Sequence, residues 1–160
     1  IKTLNLNIQN KTLYRSNNLG YNTASQIKKK FNHINTETFQ KNLILDDFKT
    51  SKLIVCTYPE TAISEMITIN VPSIILIPNN LYEFDNNSTK IIDQLKNANV
   101  FFDNSYDAAK HINLIWNDPY KWWNSKDTLN SIKNLKEYAF NIKDEWLDEW
   151  TNLINSKNGK

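Results

Sequence analysis

Apolar positions along the chain follow two spacings. Residues 53–56 and 73–77 are short unbroken apolar runs rich in β-branched side chains, the pattern of strands buried in a parallel sheet. Between them Ile63, Met66 and Ile67 recur at helical spacing, with Thr61, Ser64, Glu65 and Thr68 around the other side. Pro72 cannot continue a helix and restricts Val71, so the helix should stop at Asn70. The stretch 52–77 therefore reads as strand, helix, strand, with a right-handed crossover. Thr57 and Glu60 are spaced as a capping box, which would start the helix with Pro59 in its first turn.

The remaining segments are arranged around this unit. Residues 1–10 alternate weakly and read as a linker or edge strand. Residues 12–15 read as a strand, 16–21 as a loop, and 23–31 as a helix capped by Asn22 or Thr23. A short strand begins near 33–35. Residues 38–48 read as a helix with Phe39, Leu43 and Leu45 inward and Asp46 and Asp47 wet. Residues 78–89 form a polar loop, long enough to suggest a role over a ligand. Helices follow at 91–98, at 105–116 with Ala108, Ala109, Ile112 and Ile115 inward, at 128–140 capped near Ser125, and at 144–154. Residues 100–102 are a strand between the first two of these. Residues 11–155 are thus expected as one α/β domain built on a parallel sheet flanked by helices, and 156–160 as a disordered tail.

The 160 residues suffice for one substantial core. A net charge of +2 with scattered lysines gives no nucleic-acid footprint. One cysteine, Cys56, excludes an internal disulfide and a thiolate metal cluster. No apolar run reaches membrane-spanning length, and no signal peptide is visible. No His, Cys or carboxylate cluster has metal spacing, and His111 reads as a partly exposed surface residue. Glycine is nearly absent, and Arg15 is the only arginine. A rigid guanidinium fork suits phosphate or carboxylate as lysine does not. Arg15 is therefore a candidate ligand residue, with a surface salt bridge as the alternative.

The helix start after residue 56 is the chemically privileged place. Free N–H groups and a partial positive charge face the carboxyl end of the strand there, where open α/β sheets bind ligands. It carries Thr57, Tyr58, Glu60, Thr61, Ser64 and Glu65. Neither a Gly-rich dinucleotide fingerprint nor a P-loop is present. Hydroxyls at the start and a carboxylate one turn in suit a phosphate plus a ribose; a capped helix with a merely solvated face is the alternative. Tyr82, Glu83 and Phe84 place two aromatics around a carboxylate in the long loop.

Thr57 and Tyr58, Glu65, and Asn70 through Ser73 resemble the signature of transferases of bacterial O-antigen and surface-polysaccharide biosynthesis. Tyr82 and Glu83 are similar to the family's Trp-Glu pair, and Gly20 and Tyr21 to its Gly-Trp pair. Residues 100–109, 115–119, Trp122, Trp123 and 146–150 are similar to its C-terminal run. Pro59 and Glu60 stand where that family has Asn and a small residue. The resemblance implies a GT-B-like glycosyltransferase, with this chain as the C-terminal, donor-binding half: a Rossmann-like domain with Trp-rich final helices. It further implies a nucleotide-sugar donor and no other cofactor; with the residues read above, the donor is expected at Arg15, Gly20, Thr57, Tyr58, Glu60, Thr61, Ser64, Glu65, Tyr82 and Glu83. The implied partners are an N-terminal Rossmann-like half and a glycan or lipid-linked acceptor, in the cytoplasm or at the inner face of the membrane. No catalytic base stands out.

Two other readings compete. One is a nucleotide-sugar epimerase or polyol-phosphate transferase on the same scaffold. The other is a non-catalytic domain that binds nucleotide or a partner protein. The five tryptophans at 116–150 either pin the final helices to the sheet or, at Trp146 and Trp150, form a docking face. Those two should then be more exposed than Trp116.

Overall fold

A computed structural model of the chain describes residues 1–16, 22–38, 43–59, 61–78, 80–140 and 145–157. Among the described residues five short strands lie in two sheets, every pairing parallel. β1 (Leu13–Ser16) pairs with β2 (Asn35–Thr38), placing Arg15 opposite Glu37. β3 (Ile54–Cys56), β4 (Ser73–Leu76) and β5 (Phe101–Phe102) form the second sheet in that order, with β4 central. Parallel neighbours need crossovers. Helix α2 (Thr23–Lys30) joins β1 to β2, α4 (Thr61–Thr68) joins β3 to β4, and α5 (Asn86–Asn97) joins β4 to β5. The chain is α/β with a Rossmann-like character.

The alternation of side chains along β4 divides the core in two. Ile75 and Ile77 enter a large cluster with Met66 and Ile67 of α4, Leu95 of α5, and Ile132 and Leu135 of α8 (Lys126–Leu135). Ile74 faces the other way, onto Ala108 and Ile112 of α6 (Ser105–Ile115) and Ile8 of α1 (Leu6–Gln9). The second sheet is thus covered on both faces. At its edge β3 departs from the expected buried strand: Val55 is 40% exposed, between the buried Ile54 and Cys56.

α7 (Pro119–Trp123) locks the layers together. Asp118 caps it, with Pro119 in the first turn. Trp123, 1% exposed, donates its indole N–H to Asn70 Oδ1 at 3.0 Å, and Trp122 donates to Ala98 O at 2.9 Å. The turns ending α4 and α5 are thereby tied to one short helix. After α8 the chain continues into one turn of π-helix, Lys136–Phe140. The final helix, α9, spans Trp146–Lys157.

Several expected elements differ. Residues 1–10 contain α1 rather than a linker or edge strand, because Ile8 is needed to cover the sheet. The helix expected at 38–48 is restricted to α3 (Ile44–Thr50), since Thr38 belongs to β2. Leu43 and Leu45 are exposed while Phe48 is buried; Phe39 lies outside the described residues. The long loop ends at Asp85, whose carboxylate accepts from Asn87 N and Ser88 N and starts α5 five residues early. α9 runs past 156, into the expected tail. No helix among the described residues is long and apolar enough to cross a membrane.

Candidate functional site

The turn after β3 holds Thr57, Tyr58 and Pro59, and α4 begins only at Thr61. Thr57 therefore lies outside the first helical turn. The strand ends in a tighter local arrangement, in which Cys56 Sγ donates to Tyr58 O at 3.2 Å. Burial pushes the Cys56 thiol above its ordinary value, against the pull of its bond to Tyr58 O. Tyr58 is 51% exposed, and Tyr82 meets it edge-to-face, with ring centroids 6.3 Å apart. Tyr82 also packs against the main core, anchoring the loop that carries the exposed Glu83. Glu60 and Gly20 lie outside the described residues.

Ser64 and Glu65 face a groove of about 510 Å³ beside α4. Thr68 and Ile69 continue that side. Leu45 of α3 and Ala139 and Phe140 of the π-helical turn also line it. Met66 and Ile67 point to the sheet at 0% exposure, which fixes the roll of α4 and leaves its polar residues to the groove. Arg15 does not line the groove. It forms an ion pair with Asp47 of α3, with side-chain exposures of 14% and 21%. That pair ties the first sheet to α3.

The structure thus brings together Tyr58 with Tyr82, and Ser64 with Glu65, with Thr61 opening the same helix. Leu45, Thr68, Ile69, Ala139 and Phe140 escape sequence reasoning as groove residues. Leu45 was expected inward, and Phe140 reads only as a helix end. Neither histidine lines the groove. His33 Nε2 lies 2.8 Å from Gln9 Oε1. His111 packs between Phe102 and Trp122, with centroids 5.6 and 4.9 Å away. Among the described residues no three His, Cys, Asp or Glu side chains are placed to hold a metal ion. The Glu65 carboxylate can accept hydrogen bonds in the groove.

A family model described as LIC12162 family transferase matches residues 1–154. No curated protein and no solved structure matches the chain.

Proposed function

This chain belongs to the LIC12162 family of transferases, and from that premise we propose that it is the donor-binding half of a glycosyltransferase using a nucleotide-sugar. In such a reaction an acceptor hydroxyl attacks the anomeric carbon. The bond from that carbon to the donor's phosphate oxygen breaks, the nucleotide leaves with the electron pair, and the acceptor's proton passes to a base. The observation that carries the reading is the Glu65 groove along the side of α4, the helix that crosses from β3 to β4. Glu65 would accept from ribose hydroxyls, charge-assisted bonds that a carboxylate makes well. Thr57, Tyr58 and Thr61 would face the phosphates at the start of α4, and Tyr82 would support Tyr58 above them.

The absence of a histidine from the groove favours division of labour. The base and acceptor site would come from an N-terminal half, so the chain alone would bind donor without turnover. No cofactor beyond the donor is required, and the place of action would be the cytoplasm, beside a glycan or lipid-linked acceptor. The exposed face of α9 would dock on that other half. Titration with UDP-, GDP-, CMP- and dTDP-linked compounds, followed by amide chemical shifts, tests the reading. One class should bind and shift residues 57–65. No binding at millimolar ligand, or shifts confined elsewhere, would sink it.

A further inference from the structure

The small net charge hides a segregation. Residues 1–36 carry five lysines, Arg15 and no acid, while the rest carries thirteen lysines against seventeen acids. The fold gathers the five lysines at one end of the first sheet. Lys11 precedes β1, and Lys28, Lys29 and Lys30 form the last turn of α2, ahead of β2. β1 and β2 are parallel with Leu13 opposite Asn35, and Thr12 O accepts Asn35 N, so both segments enter the sheet side by side. Lys28 Nζ donates to Ile34 O at 3.0 Å. Lys2 and Lys30 line one hollow of about 330 Å³, together with Thr3, Phe31 and Ser105. All five lysines are exposed. Compensation of the helix dipole accounts for those in the last turn of α2, but Lys2 and Lys11 belong to no helix. Leu6 and Leu13, 71% and 43% exposed, flank Lys11 in the chain.

We propose that this end of the domain docks on an anionic lipid surface, its lysines on headgroup phosphates and Leu6 and Leu13 at the acyl boundary. Clusters of roughly four to eight basic residues are what such surfaces recruit, and exposed apolar side chains among them add the buried area that holds the contact. The ammoniums of Lys2 and Lys30 and the hydroxyls of Thr3 and Ser105 give the hollow the donors that one headgroup phosphate takes. A nucleic-acid strand would leave the leucines unused and would want exposed rings for its bases; Phe31 is half-buried, with His33 edge-on to it. The other exposed apolar face, on α9, carries Asp148 and Glu149, which an anionic surface repels. Nucleotide binding at α4 plays no part in this contact, so either can fail alone.

The test sediments the whole chain with vesicles of phosphatidylcholine, with and without phosphatidylserine. The chain should bind only the anionic vesicles. It should leave them as NaCl rises from about 0.1 M to about 1 M, which shortens the Debye length from about 10 Å to about 3 Å. Each lysine lost from the cluster should weaken binding about fivefold. Lys2→Gln, Lys11→Gln, Lys29→Gln and Lys30→Gln combined should therefore weaken it on the order of 500-fold. Glutamine at Lys49, Lys90, Lys126 and Lys133, exposed elsewhere, removes the same charge and should leave binding in place. Melting curves check that both variants fold, and arginine at the four cluster positions should restore binding. Leu6→Ser with Leu13→Ser should cost about tenfold and keep the salt dependence. Equal loss in the two glutamine variants overturns the assignment. Equal binding to neutral vesicles overturns it in favour of the α9 tryptophans. Inorganic phosphate bound in calorimetry without any vesicle binding, or a single-stranded oligonucleotide bound more tightly than the anionic vesicles, overturns the lipid as the partner.

Discussion

Three asparagines do work that usually falls to glycine. Asn22, Asn70 and Asn99 have φ of 47°, 58° and 56°, in a chain with two glycines. Asparagine tolerates the left-handed region better than other residues with a Cβ. Asn70 adds a second function, since its side chain accepts the indole N–H of the buried Trp123. Asn70→Gly keeps the backbone and strands that donor, which should cost about 1–3 kcal/mol in urea unfolding. Asn70→Ala should cost roughly 1 kcal/mol more, for the Cβ at positive φ. Asn99→Gly should be nearly neutral. Equal stability of Asn70→Gly and the unaltered chain would show the indole bond to be dispensable. His111 supplies a pH dependence. Its Nε2 is buried without a hydrogen-bond partner, and desolvation lowers its pKa below the ordinary 6.5. Below that value the unfolded chain binds a proton that the folded chain refuses. Stability is therefore complete above 6.5 and falls as the pH drops toward the folded pKa. His111→Leu should flatten that part of the melting temperature profile; an unchanged slope would place its origin elsewhere.

Among the elements, α9 stands apart. Trp146 is 58% exposed, Trp150 59% and Leu147 60%, whereas Trp116 and Trp122 are half-buried and Trp123 is covered. The greater exposure anticipated for Trp146 and Trp150 is what the structure shows, and no residue of α9 with a described side chain is buried. A 12-residue helix with no buried residue among those described is marginal in water, so its apolar face needs a cover. Replacing both tryptophans by phenylalanine should leave the unfolding free energy within the small range of surface changes, about ±0.5 kcal/mol. The same change should remove the acrylamide-quenchable part of the fluorescence. A clear loss of stability would make α9 part of this domain's own core. Element boundaries were legible where a local signal dominated: α6 follows Asn104 and carries its four expected inward residues. They were not legible where two signals competed. Thr57 and Glu60 have capping-box spacing, yet the turn after β3 delays α4 to Thr61. The π-helical turn is invisible to a 3.6-residue period.

At the scale of the molecule, the apolar runs at 53–56 and 73–77 marked the parallel pair, while the central place of β4 appears only in the structure. What they could not mark is the division into two sheets, which depends on how neighbouring strands meet. Half of the candidate site was legible for a related reason. Ser64 and Glu65 share a helix, so local periodicity places them together, while Leu45 and Phe140 reach the groove from distant elements through tertiary packing alone. Tertiary packing also gives α7 its place, with one indole bonded to the turn after α4 and the next to the turn after α5. The two rings lie 5.5 Å apart, tilted by 58°. Strong transition dipoles that close and that skewed share their excitation. The molecule therefore carries an optical signature of its own closure: a circular-dichroism couplet in the indole bands, present only while α4, α5 and α7 are joined and indifferent to whatever covers α9.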